Sequence, residues 1–503
     1  MKKSEGMEAG LWGSDFFEDH SIRRLLSGEL ASASFYQLPM QSYVEHGKSC
    51  PILSSLAGKK CLLLVDGTPK VTLQALPLDS DFMEFLKSLS CTLEVWNVSE
   101  LLGTSELHAS LTNAQKLRDK LKEHGDNGDV LIILGSGTLT DLVKAALWGL
   151  EEVSHGHGLH GSLFSTPTLC VSVPTALTVT AYTSHFAVLD SGGAKKTYLS
   201  RAHTHVVWSE QILGGAPWPM QRAGFGDLLA RFTAFGDWKL GALLGLSTSV
   251  YEPAFHLMEG FSRTSEELAL GLGRKNLNPQ NWRCFCESLS LAGIAMSLSG
   301  ETTPLSGFEH VISHGLDFLA MTASKELVLH GEQVALGTLV SSITFESLFS
   351  EEFLDYRRLL KKPSSLWDVF LRQLMKQAPV ESKDKREWNQ IDEARQSSVD
   401  LFLHEFVIKH ENWLQKKDSI SDLLRKNWPD LIKETSVYLK SSAEILNLIH
   451  SSGLPDSPEL TTPSTTAESL RWAIRFAPFV RKRFSVADLI FELDMDPMNY
   501  AAQ

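Results

Sequence analysis

From Lys59 onward the chain alternates short apolar runs with longer amphipathic stretches. "KKCLLLVDGTP" is an apolar run closed by turn residues, the form of a strand buried on both faces. "CTLEVWNV" (Cys91 to Val98) is a second strand candidate, and "TPTLCVSVPT" is a further buried one. Between them "LTNAQKLRDKLKEHGDNGD" reads as an amphipathic helix with a glycine stop. "VLIILGSGTLTDLVKAALWGL" reads as strand, glycine turn and helix. Strands alternating with helices predict a parallel sheet. After about Trp208 the strand signals fade, and helices are expected over 224–243, 281–298, 308–319, 332–348, 366–376 and 392–416. "QAPVESKDKREWNQ" reads as a charged linker, and "SSGLPDSPELTTPSTT" as a break before a last helical hairpin. The pattern therefore predicts a polar N-terminal extension over 1–55, an α/β domain over 56–210 and an all-helical domain over 211–503.

Composition agrees with a globular chain of several domains: 503 residues, 43% apolar and 21% charged. The net charge of -13 argues against nucleic acid as the main partner, because phosphate backbones need a basic face. Six cysteines without framework spacing are expected to be reduced, which points to the cytoplasm. No apolar run follows Lys2 and Lys3, so no secretory signal is expected, and no stretch is long and apolar enough to predict a transmembrane segment.

Three stretches carry candidate chemistry. In "GSGTLTDLVK" (Gly135 to Lys144) small residues between a strand and a helix let backbone amides approach a pyrophosphate. Asp141 and Lys144 would anchor that turn, although Thr140 breaks the G-x-G-x-x-G pattern and plain strand–helix punctuation fits as well. In "AGFGDLLARFTAFGDWKL", Asp227 follows Gly-Phe-Gly and is expected to start a helix, where it also fits a simple cap. "SGFEHVISHGLDFLAMTASKELVLHGEQVALG" places His310 and His314 on one helix face, with His330 opening the next helix. Any one of these could be an ordinary histidine. Together with Asp227 they supply imidazole and carboxylate groups suited to Zn²⁺ or a similar ion, of which three as ligands would leave one position for substrate. "SHGHGLHG" (Ser154 to Gly161) reads as a glycine-rich surface loop, and "RFAPFVRKRF" (Arg475 to Phe484) as a solvated basic helix face that could touch an anionic lipid surface.

"GSGTLTDLVK", "VPTALTVTAYTS", "GAKKTY", "GFGDLLARFTAFGDWKL", "SGFEHVISHGLD" and "LHGEQVALGTL" occur in the order seen in sn-glycerol-1-phosphate dehydrogenases. The tail "RWAIRFAPFVRKRFSVADLIFEL" resembles that of the bacterial branch. The chain thus resembles this family, within the superfamily of iron-containing alcohol dehydrogenases and dehydroquinate synthase. The resemblance implies a dehydroquinate synthase-like fold, with a Rossmann-like dinucleotide domain followed by an all-α metal domain. It implies reduction of dihydroxyacetone phosphate to sn-glycerol 1-phosphate by NADH or NADPH, and the reverse, for glycerolipid and ether-lipid synthesis. It further implies a small phosphorylated substrate, one divalent metal (zinc or nickel, with iron a third candidate) and a homodimer. By motif position Asp227, His310 and His330 match the metal ligands, and His314 and Lys195 match catalytic positions. Gly135, Ser136, Gly137 and Asp141 match the pyrophosphate turn; Thr175, Thr178 and Ser184 match nucleotide contacts, and Asp66 is placed to meet the adenosine ribose. Lys195 also fits an exposed turn lysine.

Two departures stand out. Thr180-Ala181 replaces the family's Asp-Gly pair and removes a carboxylate expected near the substrate hydroxyls; Arg231 replaces a lysine. They leave room for a related dehydrogenase acting on another small polyol or polyol phosphate. A dehydroquinate-synthase-type cyclase, which carries Glu where Asp227 stands, and a binding or regulatory module on the same fold are further readings.

Overall fold

A computed structural model of the chain describes residues 34–38, 50–125, 130–150, 169–190, 195–323, 325–352, 354 and 385–501. The histidine-rich loop over 154–161 and the helix expected over 366–376 lie outside the described residues. The described chain divides into two compact units whose segments interleave. One holds residues 34–190, 196–224 and 256–300, and the other holds 195, 225–255 and 301–501. Helices over 256–300, which the sequence pattern groups with the C-terminal region, belong to the first unit.

The first unit is built on a six-stranded parallel sheet. Its strands are β1 (Ser34–Leu38), β2 (Lys60–Val65), β3 (Thr92–Asn97), β4 (Val130–Gly135), β5 (Cys170–Pro174) and, after a two-stranded sheet of β6 (Phe186–Asp190) and β7 (Lys195–Leu199), β8 (His205–Ser209). Their order is β1-β8-β5-β4-β2-β3. β2, β4 and β5 are apolar at nearly every position because helices cover both faces. Cys61, Leu63 and Val65 pack with Ile132, Leu134 and Phe82 on one face. Leu62 and Leu64 pack with Leu131, Ile133, Leu117 and Leu142 on the other. Side chains along a strand alternate faces, so a single run feeds both cores.

β1 corrects the reading of 1–55 as a polar extension: Ser34–Leu38 is a strand at the edge of the sheet, paired among the described residues with β8 alone. "SFYQL" mixes polar and aromatic residues and has none of the continuous apolar character that marked the buried strands. The helices flanking the sheet include α1 (Leu78–Ser88), α2 (Leu111–His124) and α3 (Gly137–Trp148).

The second unit is helical around one large apolar cluster. It contains α5 (Ala234–Leu243), α6 (Phe308–Thr322), α7 (His330–Phe349), α8 (Lys385–Ser436) and α9 (Ala467–Phe476), while α4 (Trp218–Leu229) enters it at residue 225. The charged segment expected as a linker over 377–390 is helical from Lys385, where α8 begins. Among the described residues no helix is long and apolar enough to cross a membrane. None of the six cysteines forms a disulfide, and all but Cys284 are buried.

Candidate metal centre

Asp227 lies in the last turn of α4, which begins at Trp218, so it does not start a helix as expected. Gly-Phe-Gly is not a breaker here. A Cβ on Gly226 would stand 2.1 Å from the carbonyl oxygen of Gly331, so the glycine exists to let α4 press against the start of α7. That contact places Asp227 beside His330, the first residue of α7. His310 sits in the first turns of α6, the helix in closest association with α7.

Three donors converge. Asp227 Oδ1 is 3.3 Å from His310 Nε2 and 3.6 Å from His330 Nε2. The three ligand atoms lie within 4.8 Å of one another, with Asp227 and His310 buried and His330 half-buried. Two imidazole nitrogens and one carboxylate oxygen at this spacing are the donor set of a divalent ion such as zinc.

The outer atoms of both rings are also fixed. Glu309 Oε1 is 3.1 Å from His310 Nδ1. A carboxylate only accepts, so Nδ1 carries a proton towards Glu309, and Nε2, which faces the Asp227 carboxylate, is the atom left to meet an incoming cation. Glu309 is itself held by the Thr233 hydroxyl at 3.0 Å and by the Gly307 amide. On the other ring, the Ser313 hydroxyl donates to Gln333 Oε1 at 2.6 Å. Its oxygen is therefore free to accept from His330 Nδ1, at 3.1 Å. Gln333 in turn donates to Asp317 Oδ1 at 3.1 Å, and Asp317 Oδ2 meets Lys195 Nζ at 2.7 Å. A continuous chain thus links His330 to Lys195.

Protonation follows from these partners. Burial works against charge on His310, but Asp227 and Glu309 outweigh it and raise its pKa. His330 is pushed down to about 4, chiefly by burial, with Asp227 opposing and the His310 and Lys195 charges adding. His330 is therefore neutral at ordinary pH, whereas a cation entering the site would compete with the proton that the two carboxylates favour on His310. Replacing Glu309 by glutamine removes the charge that fixes His310. The expected result is a zinc affinity about 10–100-fold lower, measured by competition with a chromophoric chelator.

His314 lies one turn beyond His310 on α6. Its pKa falls well below the ordinary range through burial, the Arg481 charge and the neighbouring histidines and Lys195. Arg481 Nη2 donates to His314 Nε2 at 3.0 Å, so the neutral ring carries its proton on Nδ1.

The remaining expected residues lie in the sheet unit. β2 and β4 are neighbours, and chain order reverses between them, since β3 lies beyond β2. Ligands of such sheets bind at the carboxyl ends of strands at this reversal. Asp66 follows β2, and Gly135, Ser136 and Gly137 close β4 and open α3. Asp66 is buried, accepts from the Thr68 amide at 2.9 Å and pairs with Lys70. A Cβ on Gly137 would meet Val179 Cγ2 at 2.6 Å. Thr178 is half-buried nearby, its hydroxyl 3.1 Å from the Tyr182 hydroxyl, and the Thr175 amide donates to the Gly135 carbonyl at 3.1 Å. Ser184 is buried and accepts from the Phe186 amide at 3.0 Å. Asp141 is buried in α3, paired with Lys144 at 2.9 Å and accepting from the Val188 amide at 3.2 Å. It anchors the turn from behind. Arg231 lies 3.9 Å from the Phe255 ring centre as a cation–π partner.

Sequence reasoning missed Glu309, Ser313, Asp317 and Arg481. Glu309 carried one signal, an acidic side chain adjoining a candidate ligand inside an apolar helix. The segment Arg475–Phe484 is not a solvated face: α9 ends at Phe476, a 3-10 turn follows over Ala477–Phe479, and Phe476, Phe479 and Phe484 are core residues.

No family model matches the chain. A glycerol-1-phosphate dehydrogenase [NAD(P)+] of Staphylothermus marinus is 31% identical over 260 residues, covering 51% of this chain and 63% of that protein. The enzyme of the same name from Bacillus licheniformis is 32% identical over 255 residues, 50% of this chain and 58% of that protein. The chain is similar to glycerol-1-phosphate dehydrogenases over about half of its own length. The similarity spans about three fifths of those relatives' own length. Among solved structures, a 1,3-propanediol oxidoreductase is 14% identical with a TM-score of 0.48, covering 93% of this chain and 96% of its own.

Proposed function

We propose that the chain is a metal-dependent NAD(P)H oxidoreductase that reduces dihydroxyacetone phosphate to sn-glycerol 1-phosphate, and catalyses the reverse. The observation that carries this reading is the convergence of Asp227 Oδ1 with His310 Nε2 and His330 Nε2 in a buried site. The names of the related glycerol-1-phosphate dehydrogenases support the substrate and the cofactor pair. A divalent ion in this site would polarise the substrate's C2 oxygen, and the dinucleotide would supply hydride.

The chain's own residues do the rest. Asp227, His310 and His330 would hold the ion, and Glu309 and Ser313 fix the two rings. Lys195, tied to Asp317, keeps an ammonium group near the ligands. His314 holds a proton on Nδ1, an atom with no hydrogen-bond partner among the described residues, and can donate to a substrate oxygen. In the sheet unit, the Gly135–Ser136–Gly137 turn at the start of α3 would take the pyrophosphate, with Thr175, Thr178 and Ser184 lining it and Asp141 bracing it. Asp66 would meet the adenosine ribose. The product would serve as the glycerol backbone of ether-linked lipids, in a cytoplasmic homodimer.

The test is reconstitution. The chelated protein is reloaded with Zn²⁺ or Ni²⁺, and NADH and NADPH oxidation is followed with dihydroxyacetone phosphate. Metal-dependent oxidation yielding sn-glycerol 1-phosphate is expected. Turnover confined to a different small polyol would overturn the substrate and trace the change to Thr180, which stands in place of a family carboxylate.

A further inference from the structure

The basic run Arg481–Lys482–Arg483 has no part in the ligand set, yet the fold brings it to α6. The two arginines have different tasks. Arg483 is absorbed by structure, with Nη1 donating to the Thr302 hydroxyl at 2.9 Å and Nη2 to the Ser306 hydroxyl. Arg481 donates to His314, in the row of side chains that begins with the candidate ligand His310.

That row decides the geometry. His310, His314 and Asp317 are spaced four and three residues apart, so they share one face of α6. At about 1.5 Å of rise per residue, His314 stands roughly 6 Å along the axis from His310. Two cations line the row beyond the candidate metal ligands: Arg481 at His314 (3.0 Å) and Lys195 at Asp317 (2.7 Å). A three-carbon phosphate held at its middle oxygen by an ion on Asp227, His310 and His330 would reach its phosphoryl group towards this pair.

Two more observations bear on Arg481. Its backbone is left-handed, with φ at 61°, a conformation that costs energy for any residue other than glycine and that tends to persist at ligand sites. Its flanks are rigid, since Phe479 and Phe484 are both in the apolar core. The guanidinium is thus presented from a fixed loop. A guanidinium offers five donors in a planar fork, so it can hold His314 and an oxyanion together.

We propose that Arg481 is the residue that grips the phosphate monoester of the substrate, with His314 as the positioning residue that orients its fork. This deepens the functional reading above and rests on it for the identity of the phosphorylated ligand. It also gives a task to a tail segment that is rich in core aromatics but carries two conspicuous arginines.

Binding is the test, because it does not need turnover. The full-length, metal-loaded chain is titrated calorimetrically with inorganic phosphate, sn-glycerol 1-phosphate and unphosphorylated glycerol. Arg481→Met is expected to weaken the first two by roughly 30-fold, the loss of one charge-assisted contact, and to leave glycerol unchanged. Arg481→Lys, which keeps the charge and loses the fork, should fall between. Metal content and the thermal midpoint of each variant check that the fold survives. Phosphate binding by Arg481→Met equal to that of the parent, or no phosphate binding by the parent, overturns the proposal. If the parent binds phosphate through Arg481 but oxidises neither NADH nor NADPH with dihydroxyacetone phosphate, the functional reading falls and the phosphate site stands.

Discussion

Replacing Asp227 by alanine is expected to leave the chain folded, to reduce bound zinc to background, and to lower turnover of dihydroxyacetone phosphate by at least about 1,000-fold. Asp227 Oδ1 is the atom common to both short ligand distances, 3.3 Å to His310 and 3.6 Å to His330, so its loss leaves two neutral nitrogens and no anion. Two imidazoles alone hold zinc weakly at neutral pH. Elemental analysis after gel filtration gives the metal content, and the turnover assay gives the rate. The variant also separates structural from chemical roles, because His310 then faces only Glu309. With one of its two carboxylate partners gone, its raised pKa should move down towards the ordinary value. Full zinc occupancy in the alanine variant would show that the ion sits elsewhere.

The second large effect is on stability and lies in the sheet unit. The Lys144 side chain is wholly buried. Its Nζ meets Asp141 Oδ1 at 2.9 Å, donates to the carbonyls of Ala181 at 2.9 Å and Ser184 at 3.3 Å, and reaches that of Phe186 as well. One ammonium group therefore ties α3 to the 3-10 turn over Thr180–Tyr182 and to β6. Lys144→Met keeps the length but strands a buried carboxylate and three carbonyls. The expected destabilisation is about 3–5 kcal/mol, the range for breaking one half of a buried pair. Adding Asp141→Asn should recover part of it, because the stranded charge disappears. Denaturant unfolding of the single and double variants measures both. Unchanged stability in Lys144→Met would mean that the cation is not held as described.

How much of this was legible in the chain depends on what kind of signal each residue left. The parallel sheet was readable because both-face burial makes β2, β4 and β5 continuous apolar runs. β1 was not, because an edge strand with one neighbour needs no such run. The convergence of Asp227, His310 and His330 was foreshadowed because imidazole and carboxylate in apolar helices are conspicuous. The position of Asp227 within its helix was not. Glycine usually ends helices, and only the close approach to Gly331 explains why Gly226 is tolerated inside one. Glu309 and Ser313 act through other residues' ring orientation, which no linear pattern encodes. Arg481 was hidden for a different reason. Its neighbours look like an amphipathic surface helix, whereas their aromatic side chains fill the core of the helical unit and turn the arginine inwards.

The interleaving of the two units has a consequence for how the protein can be made. Residues 225–255 enter the helical unit, 256–300 return to the sheet unit, and 301 onwards rejoin the helical one. A chain emerging from the ribosome thus exposes Asp227 well before His310 and His330 exist, and before the core segment around Trp472–Leu493 that packs against α6. Closing of the Asp227, His310 and His330 cluster is therefore a late event in synthesis, and no single cut in the chain separates the two units.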